Sequence, residues 1–256
     1  MENDIYEAGQ SGFNLPHDVI ELPSKGLYYK SKKKNVKVGY LTAVDENILS
    51  NFDGSKNITE SIILPVLRNK LYERDLRPEE LLDGDVEAIL LFLRNTAFGP
   101  EYKVTVTDPQ TGVPFVTSVF LDELNYKKTE HQPDENGLFQ VELPVSKTKV
   151  ALKILTLSER IEIDKIIKSY PSERVAPSVT TKLAKQIHSI EGDIDRNKIA
   201  MFVETMPIGD SKFIRRFVFD NEPRLDLSKE VIAPSGERVM VDIAFGVEFF
   251  RPFLSV

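Results

Sequence analysis

The chain has 256 residues, 41% of them hydrophobic and 29% charged, which is enough apolar side chain to bury a core and enough length for one large or two small domains. With 33 basic against 40 acidic residues the net charge is -7, which sets the chain as a whole against phosphate and argues against broad nucleic-acid binding. Cysteine is absent, and that removes disulfides, thiolate catalysis, cysteine zinc sites and iron–sulfur clusters together.

Residues 1–35 read as an extended N-terminal arm. Ile5, Tyr6, Phe13, Leu15, Val19 and Ile20 are scattered among Gly, Asn and Pro without a period, so residues 1–20 are expected to order only against a partner. Leu22-Pro23-Ser24-Lys25-Gly26 is a turn, because Pro fixes φ and Gly accepts positive φ, and Lys30–Lys34 is a basic, solvated tip. Residues 36–42 alternate as a strand. Thr42 then caps a short helix over 43–50, whose first turn carries Asp45 and Glu46 where the helix dipole favours them. Ile62, Ile63, Val66, Leu67 and Leu71 space a second helix from Asn57 to about Tyr72, with Pro65 as a kink. A short acidic helical turn at Pro78–Leu82 leads to Asp85, which caps an apolar, buried helix over 86–95.

The period then changes. Residues 102–107 and 114–121 form a hairpin around Asp108-Pro109-Gln110-Thr111-Gly112, a polar loop follows over 127–137, and strands are expected at 138–143 and 149–155. Helices are expected from Ser158 to about Tyr170, over 179–190, over 195–206 with Asp193 or Asp195 as cap, and over 211–219. Strands at 225–232 and 238–245 flank the turn Ala233-Pro234-Ser235-Gly236, and the chain finishes in Phe249-Phe250-Arg251-Pro252-Phe253-Leu254. The pattern predicts an α+β fold, helical layers carrying small antiparallel β-hairpin sheets, divided as an arm (1–35), a helical and β-hairpin unit (36–156) and a helical unit ending in a hairpin and aromatic tail (157–256). Ala97-Phe98-Gly99-Pro100-Glu101-Tyr102 echoes Ala244-Phe245-Gly246-Val247-Glu248-Phe249, and the two hairpin turns are also alike, but the order does not make a repeat of one period.

Little here points to catalysis. There is no G-x-S-x-G elbow, no phosphate-binding G-x-x-x-x-G-K-[ST] loop and no G-x-G-x-x-G. His17, His131 and His188 are dispersed, so no metal, cofactor or small-molecule ligand is expected, and His188, between Ile187 and Ile190 on a helix, reads as a boundary residue. Asp83/Asp85 and Asp193/Asp195 are each too few for a cation cage and read as helix caps. Lys212, Arg215 and Arg216, interleaved with Phe213 and Phe217, could grip phosphate or form an ion-paired face against another protein. No apolar run approaches the roughly 20 residues of a membrane span, and the acidic start Met1-Glu2-Asn3-Asp4 lacks a signal core, so a soluble chain made in a cytoplasm is expected. The aromatic tail concentrates residue types that dominate protein interfaces; docking on a partner and packing on its own domain are both open to it.

Taken in order and spacing, Glu21-Leu22-Pro23-Ser24-Lys25-Gly26-Leu27-Tyr28-Tyr29, Val38–Leu49, Leu81–Leu90, Ala97–Tyr102 and Phe249-Phe250-Arg251-Pro252 resemble the baseplate hub subunit family of T-even-type contractile-tailed bacteriophages. The resemblance implies a non-enzymatic structural protein of the virion tail, whose partners are other baseplate or hub proteins. It places the protein interface at Leu22, Pro23, Lys25, Tyr28, Phe249, Phe250, Arg251 and Pro252. A baseplate assembly factor absent from the mature virion is the alternative, with a nucleic-acid-binding regulator or a hydrolase behind it. Family members look as if they carry a Cys-x-x-Cys knuckle where this chain has Asp108–Gly112, so no zinc site is expected at that hairpin.

Overall fold

Val36 and Val38 point one way from an alternating segment, and burying them requires a partner strand. The computed structural model, which describes residues 16–50, 57–171, 173–243 and 249, supplies it from upstream. Strand β1 (His17–Glu21) pairs antiparallel with β2 (Asn35–Gly39), His17 opposite Gly39 and Glu21 opposite Asn35. This corrects the expectation of an arm for residues 17–35. The two strands pair with each other within the chain, and Leu22 beyond β1 is fully buried. Residues 1–15 lie outside the described residues.

Helix α1 (Ala43–Ser50) forms as its caps predict, although the capping acceptor is Asp45, whose carboxylate receives the Thr42 amide and hydroxyl at 2.7 and 2.8 Å. Asp45 is buried and ion-paired to the equally buried Lys70 at 2.5 Å. The helix expected over 57–72 is broken in type. A π-helical turn at Thr59–Ile63 precedes α2 (Leu64–Lys70), which carries Pro65 in its first turn, where a missing N–H costs nothing. After a 3-10 turn at Pro78–Glu80, α3 (Asp83–Phe98) begins earlier than the sequence suggests, so Asp85 lies inside its first turn and does not cap it.

Beyond α3 come β3 (Glu101–Thr107) and β4 (Pro114–Phe120), then β5 (Leu138–Glu142) and β6 (Lys149–Lys153). Helix α4 (Leu157–Lys168) starts at a capping box: Thr156 Oγ1 accepts the Glu159 amide while the Glu159 carboxylate accepts the Thr156 amide. Helix α5 (Ser178–Gln186) stops short of its expected end. Residues 187–190 are instead β7 (Ile187–Ile190), the third strand of a sheet ordered β5-β6-β7. Ile187 and Ile190 sit three apart as in a helix, but the free edge of β6 takes them, and burial then alternates residue by residue. His188 is accordingly a strand residue. Helices α6 (Arg196–Thr205), capped by Asp195, and α7 (Ile208–Asn221) precede the hairpin β8 (Ser228–Ile232) and β9 (Arg238–Asp242). Helices with four small antiparallel sheets among the described residues make the fold α+β. One buried apolar cluster runs through it, from Leu22, Leu67, Ile89 and Leu93 to Leu152, Ile161, Ile214 and Phe249.

Candidate interaction sites

The segment 22–34 is a loop held from below. Lys25, with φ of 51°, and Gly26, with φ of 73°, reverse the chain; a Cβ at Gly26 would lie 2.6 Å from the Lys32 carbonyl oxygen, so no other residue fits that turn. Beneath it, Asp85 accepts the Ser24 amide at 2.9 Å and the Tyr29 hydroxyl, while the Tyr29 oxygen accepts the Leu82 amide at 3.0 Å. These groups are sealed from water: Asp85 is 0% exposed. Burial pushes the Asp85 carboxyl up to about 6 against the pull of its donors, and burial with the Asp85 charge holds Tyr29 well above the usual tyrosine range. The node fixes the loop to the first turn of α3.

That packing sorts the expected interface residues. Leu22 and Pro23 are buried in this chain, so they are corrected to packing residues with no surface to offer a partner. Lys25 is exposed, and Tyr28 is half-buried with its ring 6.1 Å from that of Phe139. Phe249 is 0% exposed, its ring 5.9 Å from Tyr102. The Arg94 guanidinium lies 5.0 Å from the Tyr102 ring and 5.8 Å from that of Phe249, and donates to the Gly99 and Glu101 carbonyls. Phe249 is thus corrected from interface to core, where it meets Tyr102 just after the turn that follows α3. Phe250, Arg251 and Pro252 lie outside the described residues.

The similar hairpin turns also meet. Asp108 Oδ1 accepts the Gln110 amide and the Ser235 hydroxyl at 2.9 and 2.8 Å, and Oδ2 accepts the Ser235 amide at 3.0 Å. Burial would raise Asp108, but the Ser235 and backbone hydrogen bonds hold it below the usual carboxylate range. Val104, Val106 and Phe115 of one hairpin and Val239 and Val241 of the other pack against the core. Their outer faces leave Val113, Val116 and Phe120, and Ile232 and Met240, in solvent, with Val116 67% and Ile232 70% exposed. Sequence reasoning missed these faces, although the alternation of 101–107 and 114–120 carried the signal: half of each strand has to face outward.

The acidic groups flagged as possible cation ligands are otherwise engaged. Asp83 pairs with Arg160 at 2.8 Å, Arg160 with Glu222 at 2.8 Å, and Arg224 with Glu87 at 2.9 Å. Burial pushes Asp83 up to about 6 despite Arg160. This network borders a cavity of about 410 Å³ whose walls include Ile63, Val86, Leu90 and Ile161. Asp193 pairs with Lys198 and accepts the Asp195 amide, and Asp195 caps α6. Among the described residues no three His, Cys, Asp or Glu side chains gather as a metal site would need. No described helix is long and apolar enough to cross a membrane. On α7, Lys212, Arg215 and Arg216 are exposed, with Arg216 3.5 Å from Asp220, while Phe213 and Phe217 turn inward toward Phe139 and His131.

A family model described as T4 bacteriophage base plate protein matches residues 22–251. Neither curated proteins nor solved structures give a match.

Proposed function

The chain belongs to the T4 bacteriophage base plate protein family, whose place is the phage tail baseplate, and from that premise we propose that it is a hub-associated subunit of a contractile tail, retained in the virion, that holds neighbouring baseplate proteins in position without catalysing a reaction. The observation that carries the reading is the extent of the match, which spans the described fold from the loop at Leu22 to the residues beyond Phe249. The chemistry of the surface supports it. Asp83 and Glu87 are committed to arginines, while apolar side chains stand in solvent on the outer hairpin faces, where protein contact would cover them. The loop tip, with Lys25 exposed and Tyr28 half-buried, is tied down on either side by the hydrogen bonds of Ser24 and Tyr29 to Asp85, as suits a docking element that must lose little entropy on binding.

Removal of the chain tests this reading. Phage grown without it should stop at incomplete baseplates, and restoring the chain in trans should return full tails. Complete, contractile tails assembled in its absence would overturn the proposal.

A further inference from the structure

We propose that a small cavity between α4, α5 and α7 receives an acidic side chain of a neighbouring baseplate protein, an inference that rests on the structural role proposed above. The cavity holds about 140 Å³. Arg160, Lys182 and Arg215 line it against a single carboxylate, Glu222, which Arg160 already engages at 2.8 Å. This local excess of positive charge stands in a chain of net charge -7. Lys182 makes no direct ion pair among the described residues, although its charge reaches Asp83, and the hydrogen bond of Arg215 goes to the Ser211 carbonyl of its own helix, at 3.3 Å.

A second observation points into the same cavity. Gln186 lines it, is 3% exposed, and its Oε1 has no hydrogen-bond partner. A buried amide left unmatched is costly. A half-turn of its last torsion exchanges oxygen for nitrogen and presents N–H donors to an incoming acceptor. With Arg160 committed to Asp83 and Glu222, Lys182, Arg215 and the idle amide are the donor set left for a carboxylate. At the rim, Phe219 is 58% exposed with Lys127 Nζ 4.1 Å from its ring centre. Together with buried Val218, this apolar rim favours a carboxylate carried by a protein chain over free phosphate, which would satisfy the charges and leave the aromatic surface wet.

Carbodiimide cross-linking of purified tails tests the pocket, because it joins a lysine amine only to a carboxylate in direct contact. Peptide mass spectrometry should find Lys182 joined to an Asp or Glu of a different tail protein. Lys182→Glu and Arg215→Glu chains, both changed at exposed positions, should keep the parent melting temperature and enter tails about tenfold less well, as expected when about 1.4 kcal/mol of contact is lost. Lys182 joined only to carboxylates of this sequence, or acetylated by an amine reagent in intact tails as readily as in the free chain, overturns the pocket. Variants that enter tails as well as the parent overturn it too. Tails from which every peptide of the chain is missing overturn the structural role itself, so the two failures are told apart.

Discussion

Asp85 joins two stretches of chain 61 residues apart, accepting the Ser24 amide and the Tyr29 hydroxyl in a site closed to solvent. An acid just before an apolar run reads as a helix cap, and in one respect Asp85 is one: it accepts a backbone amide. The amide belongs to a distant loop, however, and no local pattern announces a partner at that separation. The node has a consequence in pH. The ordinary Asp value is 3.8, and burial raises Asp85 to about 6. Between those values the folded chain holds a proton that the unfolded chain has released, so stability falls as pH rises through that window and is recovered on acidification. Urea unfolding should therefore give a contribution from Asp85 on the order of 1 kcal/mol more stability at pH 5 than at pH 7.5. Asp85→Asn should remove that part of the pH dependence; an unchanged pH profile would contradict the burial of a titrating carboxyl there. Gly84, beside it, has a steric role the sequence does not announce. A Cβ there would lie 2.0 Å from the Pro223 carbonyl oxygen, which is backbone and cannot swing aside. Gly84→Ala should cost about 1–3 kcal/mol, as overpacking does, measured by the shift in urea midpoint.

At the scale of elements, the helices with clear caps and periodic apolar residues were legible: 43–50 and 195–206 match or contain an observed helix, while 211–219, read without a cap, lies inside the longer α7. Two failures share one cause. The strand at 187–190 and the π turn at 59–63 are set by what lies beside them, the open edge of β6 and the proline that follows, and helical spacing alone reports neither. The likeness of the two hairpin turns was visible in sequence, but its meaning, a contact through Asp108 and Ser235, required the fold. Ser235→Ala removes the hydroxyl that donates to Asp108 at 2.8 Å and should cost about 1 kcal/mol. Amide exchange in β3–β4 and in β8–β9 should quicken together, since the turns are tied. Faster exchange confined to β8–β9 would mean that the hairpins are independent.

Across the whole molecule, the apolar cluster passes through residues from both halves of the chain, from Leu22 to Phe249. The aromatic ending looked equally suited to docking and to packing, because composition alone does not say on which surface a terminal Phe lands. Phe249 is core. Phe249→Ala should cost about 3–5 kcal/mol in folding stability, read as a lowered urea midpoint, and a variant with parental stability would contradict its place beside Tyr102 and Arg94. Of the interface residues suggested by sequence, Lys25 and Tyr28 keep exposed surface, while the open hairpin faces and the basic cavity on α5 and α7 became visible only in three dimensions. Quantitative mass spectrometry of purified mature tails tests the central assignment most directly. A structural baseplate subunit should be present in a fixed ratio to the other tail proteins that survives stringent washing, whereas its absence from mature tails, or a ratio that falls away with purification, would contradict that assignment.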